Sequence, residues 1–144
     1  MFDIFHTFTI LSSPVKIFEG ISTPKGLDSW WTLKSEGKPD PGSTYVLYFG
    51  PEYNWKAIVT KHTAGKEFEL EMTEAEPQWI GSKIGFSLNK KSANTTEVSF
   101  YHKGWPEDSE NYRVSNYCWA MYLRILKRYI EFGEQVPYEK RLSV

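Results

Sequence analysis

Residues from about Asp108 to Phe132 read as one uninterrupted helix that is apolar on more than one stripe, and this feature constrains the fold most. Asp108 or Ser109 offers an N-cap, Glu110 an acidic first turn, and Gly133 a stop just past the end. At 1.5 Å per residue such a helix is roughly 36 Å long. Val114, Tyr117, Cys118, Met121 and Ile125 form one apolar row, while Tyr112, Trp119, Tyr122, Leu123 and Leu126 widen it. The basic residues Arg124, Lys127 and Arg128 fall in the C-terminal half, where they complement the helix dipole, and Lys127 and Glu131 sit one turn apart on an expected solvent face. A helix covered over so wide an arc needs a concave partner, and a curved sheet supplies one.

The upstream residues have the period of such a sheet. Ile4, His6, Phe8 and Ile10 alternate with Phe5, Thr7, Thr9 and Leu11, which predicts a first strand. Ser13-Pro14 then pairs a cap with a proline at the first helical position, starting a short helix that Gly20 weakens. Thr23-Pro24 repeats the device for a second short helix ending at Trp30-Trp31. Leu33 to Ser43 reads as a surface loop. Further strands are predicted around Tyr45 to Phe49, Asn54 to Lys61, Glu67 to Met72, Ile84 to Leu88 and Val98 to His102, with a Lys-Lys-Ser-Ala-Asn turn before the last. In Glu67 to Met72 the alternation puts Phe68, Leu70 and Met72 inward and Glu67, Glu69 and Glu71 on a solvated face. The expectation is an α+β fold in which an antiparallel meander curls around the last helix, with residues 1–144 forming one domain around one core.

Charge and cysteine content narrow the function. Seventeen basic against 18 acidic side chains leave a formal charge of −1, so nothing electrostatic points to nucleic acid or an anionic membrane. No apolar stretch approaches the roughly 20 residues that cross a bilayer, and the N-terminus lacks the pattern of a signal peptide, so a cytoplasmic protein is expected. Cys118 is alone, and His6, His62 and His102 are scattered, which predicts neither a disulfide nor a metal site, and no cofactor. The outlying property is aromaticity. Six Trp, nine Tyr and nine Phe make up 17% of the chain, each ring bringing roughly 150–250 Å² to bury or to use.

The order of elements, a strand, two short helices, antiparallel strands and a long closing helix, resembles the helix-grip plan of the SRPBCC superfamily, the START and pollen-allergen-like proteins. Phe8-Thr9-Ile10-Leu11-Ser12-Ser13-Pro14-Val15-Lys16-Ile17-Phe18, followed by Trp30-Trp31, is similar to the opening of the heat-shock protein 90 ATPase activator homologues. His102-Lys103-Gly104-Trp105-Pro106, then Trp119, Tyr122-Leu123, Leu126-Lys127 and Gly133, resembles their final strand, turn and helix. The resemblance spans essentially the whole chain. It implies a cavity between sheet and helix for lipids, polyketides or other apolar ligands, and a possible chaperone partner.

The side chains expected to line that cavity are Phe8, Trp31, Tyr45, Trp55, Phe68, Leu70, Phe86, Phe100, His102, Trp105, Tyr112 and Trp119. The same pattern also fits rings that simply fill the core. An empty apolar void of ~300 Å³ would cost roughly 7 kcal/mol, so any cavity should be occupied, partly wet or shrunk by tryptophan. No catalytic set stands out. Cys118 reads as a small apolar core group. His102, on the presumed inner face, is the one candidate acid or base, against a plainer reading as a hydrogen-bonded rim residue. Three functions follow: a binding module for a hydrophobic small molecule, a polyketide cyclase or dehydratase-like enzyme, and a co-chaperone.

Overall fold

The computed structural model describes residues 1–143, and it contains one seven-stranded antiparallel sheet crossed by one long helix. The elements are β1 (Phe2–Ile10), α1 (Pro14–Ser22), α2 (Pro24–Trp30), β2 (Lys34–Glu36), β3 (Thr44–Tyr48), β4 (Asn54–Thr63), β5 (Glu67–Glu74), β6 (Lys83–Ser92), β7 (Thr95–Trp105) and α3 (Glu110–Phe132). A 3₁₀ segment, Tyr138–Ser143, closes the chain. Strand order is β1-β7-β6-β5-β4-β3-β2, so β2 to β7 form a continuous meander and β1 docks on the free edge of β7. The expected α+β helix-grip architecture is what the chain adopts.

The cap signals act where they were read. Ser13 Oγ accepts from the Lys16 amide at 3.4 Å and Thr23 Oγ1 from the Gly26 amide at 3.0 Å, with Pro14 and Pro24 each in the first helical turn. Ser109, and not Asp108, caps α3 by accepting from the Tyr112 amide at 3.1 Å. Gly133 ends that helix in the left-handed conformation, at φ 67°.

Four local expectations need correction. The segment from Leu33 contains a three-residue edge strand, β2, because Lys34 to Glu36 can complete the ladder of β3. Gly20 lies inside α1, which runs past it to Ser22 where a glycine-weakened helix was expected. A Cβ at Gly20 would lie 2.7 Å from Ile130 Cδ1, so the bare glycine lets α1 press against α3. Third, only one stripe of α3 is buried: Trp119, Leu123, Leu126 and Ile130, with Ile125 beside them. Val114 and Tyr117 are exposed, at 52% and 70%, because the sheet, α1, α2 and the closing segment meet other sides of the helix and, among the described residues, none covers this one. Each fully buried aliphatic side chain in that stripe contributes roughly 1.5–3 kcal/mol. Fourth, Lys127 and Glu131 do not stand on a solvent face. Their 2.7 Å ion pair bolts α3 to the end of β1, with Lys127 Nζ donating to the Thr9 carbonyl at 2.6 Å and the Leu11 amide donating to Glu131 Oε2 at 2.7 Å.

Registry decides which rings share the concave face. His62, Phe68, Phe86, Phe100 and His6 form one row across β4, β5, β6, β7 and β1, and Val59, Leu70, Ile84, His102 and Ile4 form the next. On the outer face, Glu69 overturns the expected row of solvated carboxylates. It is 4% exposed, bonded by the Tyr101 hydroxyl and, at 2.7 Å, by Thr60 Oγ1, because Tyr101 lies flat over Gly85. A Cβ at Gly85 would sit 2.2 Å from the Tyr101 ring, so glycine is what makes room for that lid.

Candidate functional site

The twelve side chains expected to line a cavity divide into three groups. Tyr45, Phe68, Leu70, Phe86, Phe100, His102 and Trp105 lie in the closed core, each no more than 4% exposed. The void left among Trp30, Trp31, Phe68, Leu70 and Phe86 is about 10 Å³, at the lower limit for one water and far below any organic guest. Phe8 and Tyr112 are half-buried at the flanks: Phe8 faces a shallow groove with Arg124 and Lys127, and Tyr112 donates to the Asp3 carbonyl at 2.8 Å. Trp31, Trp55 and Trp119 remain, and these three do meet around open space.

That space is a cleft of about 410 Å³ between the β3–β4 hairpin, the loop 75–82, the first half of α3 and the closing 3₁₀ segment. It is open to solvent, where an enclosed cavity was expected. The tryptophans that were to surround a void instead pack on one another and fill the sheet's centre, displacing the free volume to one end of α3. Eight rings line the cleft: Trp31, Phe49, Tyr53, Trp55, Trp79, Trp119, Tyr122 and Tyr138. Five of them form a closed circuit by centroid separation, Trp31–Phe49 5.4 Å, Phe49–Trp55 5.3 Å, Trp55–Trp79 5.0 Å, Trp79–Trp119 6.1 Å and Trp119–Trp31 5.2 Å. Glu76, Asn111, Ser115, Cys118 and Leu142 complete the lining.

Several of these residues escape a reading by period. Trp79 and Glu76 stand in a loop whose Pro77 and Gly81 signal a turn, and a lone indole there is the only hint that the loop folds inward. The loop is pinned at both ends by the Met72 amide to the Ser82 carbonyl at 2.9 Å and the Gly81 amide to the Met72 carbonyl at 2.8 Å. Tyr138 and Leu142 come from beyond Gly133. Arg141, 5% exposed, holds them in place by donating to the carbonyls of Val136 and Thr32, both at 3.1 Å, and of Asp28 at 2.6 Å. The Tyr138 hydroxyl spans the cleft to the Phe49 carbonyl at 3.2 Å.

His102 lies beneath the cleft floor with 0% exposure. Trp119 Nε1–H, which can only donate, reaches His102 Nδ1 at 3.1 Å, so the ring hydrogen sits on Nε2 and is donated to Ser82 Oγ at 2.8 Å. Ser82 in turn donates to the Trp79 carbonyl at 2.5 Å. Burial pushes the imidazole pKa down to about 3. Both nitrogens are committed and the ring stays neutral, so His102 positions Trp79 and Trp119 and has no free nitrogen to offer a ligand. Cys118 is half-exposed on the cleft wall where a core thiol was expected, and burial pushes its pKa up, away from a nucleophilic thiolate. Burial likewise pushes the Tyr122 phenol up to about 12. Apart from the Glu76 carboxylate, the cleft therefore offers apolar faces and neutral donors.

Comparison with known proteins places this geometry. The family described as activator of Hsp90 ATPase homolog 1-like protein matches residues 12–131. No curated protein sequence matches. Among solved structures, the Aha1 dimer of Colwellia psychrerythraea is 32% identical, superposes with a TM-score of 0.83, and shares 93% of this chain and 99% of its own. SSP2350 of Staphylococcus saprophyticus, at 18% identity, gives a TM-score of 0.78 over 94% of this chain and 96% of its own. MLL2253 of Mesorhizobium loti, at 15% identity, gives 0.77 over 92% and 99%. The last two likenesses concern the fold alone.

Proposed function

From a chain that belongs to the activator of Hsp90 ATPase homolog 1-like family, within the SRPBCC superfamily, we propose a protein that binds a hydrophobic small molecule in the cleft beside α3. The observation that carries the reading is the eight-ring cleft of about 410 Å³, within the volume range of ligand pockets, beside a core whose void among Trp30, Trp31, Phe68, Leu70 and Phe86 is only about 10 Å³. The ligand sits at the end of the sheet and not between sheet and helix. Its exchange needs no opening of the core. A cytoplasmic setting is consistent with one unpaired thiol, Cys118.

Binding without conversion is the form of this reading that the residues favour. A cyclase or dehydratase-like enzyme needs a group that moves protons, and His102 has both nitrogens engaged under the floor. Native mass spectrometry of gently purified protein should show a bound compound of unchanged mass. Thermal shift against an aromatic and lipid library should show stabilisation that grows with concentration, about 2.7 kcal/mol at 100 Kd. A Trp55→Ala variant should lose that stabilisation. Absence of any shift across the library would remove the binding reading.

The family description and the name of the Colwellia psychrerythraea protein motivate a second reading, a co-chaperone for heat-shock protein 90. Val114, Tyr117 and Phe132 are large apolar side chains left exposed on α3, and they are the surface such a partner would use. Enrichment of the cell's heat-shock protein 90 in a pull-down, lost in Tyr117→Ser, would support it, and no enrichment would retire it.

A further inference from the structure

Among the described residues, Glu76 is the only charged side chain lining the cleft, and no lysine or arginine lines it. Its Oε1 is shut off from solvent and accepts no hydrogen bond, and Glu76 takes part in none of the ion pairs among the described residues. Arg141 is close along the chain to two lining residues, Tyr138 and Leu142. Its guanidinium is turned away onto the carbonyls of Asp28, Thr32 and Val136. Glu76 is half-buried: one carboxylate oxygen is withdrawn from water without a donor while the side chain still lines the cleft, which leaves that oxygen short of a partner.

The neighbouring walls are what a cation would seek. The circuit of Trp31, Phe49, Trp55, Trp79 and Trp119 gives the cleft an aromatic floor and wall, with Phe49 and Trp55 the less buried of the five, and ring faces carry the negative lobe of the aromatic quadrupole. An organic cation whose charge is spread over methyl or methylene groups loses little hydration on entering such a site, and it gains from every ring face it meets. An anion would meet the Glu76 carboxylate with no counter-cation, which sets fatty acids and other carboxylates at a disadvantage.

We propose that the cleft selects a hydrophobic organic cation, a quaternary ammonium or protonated amine head on an apolar body, with Glu76 as its counter-charge and the tryptophan circuit as its cage. The inference rests on the reading of this cleft as the ligand site and narrows it to one chemical class. Tyr53, Tyr122 and Tyr138 at the margins extend the apolar body's contact surface.

The test compares three benzyl compounds by calorimetry and tryptophan quenching: benzyltrimethylammonium, its neutral carbon isostere neopentylbenzene, and the anion phenylacetate. The cation should bind the native protein about tenfold more tightly than the neutral isostere, and phenylacetate should bind weakest. Glu76→Gln, which keeps the side chain's shape, should erase that advantage while leaving neopentylbenzene within about twofold. Added salt should weaken the cation and not the neutral compound. If neopentylbenzene binds the native protein as well as the cation does, the charge selectivity is wrong and the binding site stands. If none of the three binds while an uncharged compound of the thermal-shift library does, the charge selectivity is likewise wrong and the binding site stands.

Discussion

At the scale of single residues, His102 behaves as a core group that happens to be titratable. Its register neighbours Ile84 and Ile4 are aliphatic, and its two nitrogens are consumed by Trp119 and Ser82. With the folded-state pKa down to about 3 and the ordinary value at 6.5, the unfolded chain takes up a proton in that interval that the native ring refuses. The ring therefore costs nothing above about pH 6.5, and stability falls as pH drops toward 3, by up to ~1.4 kcal/mol per pH unit. Urea titrations at about pH 7.5 and about pH 5.5 should show this loss, and His102→Gln should fall less steeply over the same interval. Equal falls in the two proteins would place the effect elsewhere. On the outer face, Tyr101→Phe leaves buried Glu69 short of one donor, and about 1–3 kcal/mol should be lost from the urea-derived stability. Gly85→Ala, which drives a methyl into the same ring, should cost a similar amount, and the two losses should fail to add because both act through Tyr101.

Among the elements, the closing 3₁₀ segment has the least of its own to hold it and the most to do for the cleft. Its only well-buried side chain is Arg141, whose bonds to three carbonyls substitute for a packed apolar face. Arg141→Met keeps much of the side chain's bulk and removes those bonds. The segment should then detach, taking Tyr138 and Leu142 from the cleft wall. Limited proteolysis should cut the variant after residue 133 much faster than the native chain, and affinity for a cleft ligand should drop while the unfolding midpoint changes by no more than about 2–3 kcal/mol in equivalent stability. Unchanged proteolysis would mean that Tyr138's bond to Phe49 and the apolar contact of Val136 suffice.

For the molecule as a whole, the sheet is a single ladder with β6, β5 and β4 at its centre, β7 paired between β6 and β1, and the three-residue β2 at the far edge. Central strands are paired on both sides and lie under α3's buried stripe, so they open only with the whole fold, whereas β2 and the closing segment open locally. Hydrogen exchange should be slowest in β6 and β7 and fastest in β2 and residues 138–143, and a cleft ligand should slow the last of these and the loop 75–82 selectively. Uniform slowing across the sheet would place the ligand elsewhere.

Period and punctuation in the chain determined the kind of elements and their order. Alternation is a property of neighbouring residues, as are the Ser13-Pro14 and Thr23-Pro24 helix starts and the run that becomes α3, and each can be read without knowing what packs on what. Trp31, Trp55 and Trp119 were legible as site residues for the same reason: they are large, aromatic and on inward phases. Only the tertiary structure decided that Glu69 is buried, that Val114, Tyr117 and Phe132 of α3 are exposed, and that the free space lies at the end of the sheet, walled by Glu76, Trp79 and Tyr138. Those outcomes depend on which side chains compete for the same volume. Six tryptophans and their neighbours pack against one another before they leave room for a guest, and where the remainder falls is a sum over contacts distant in sequence that no local pattern records.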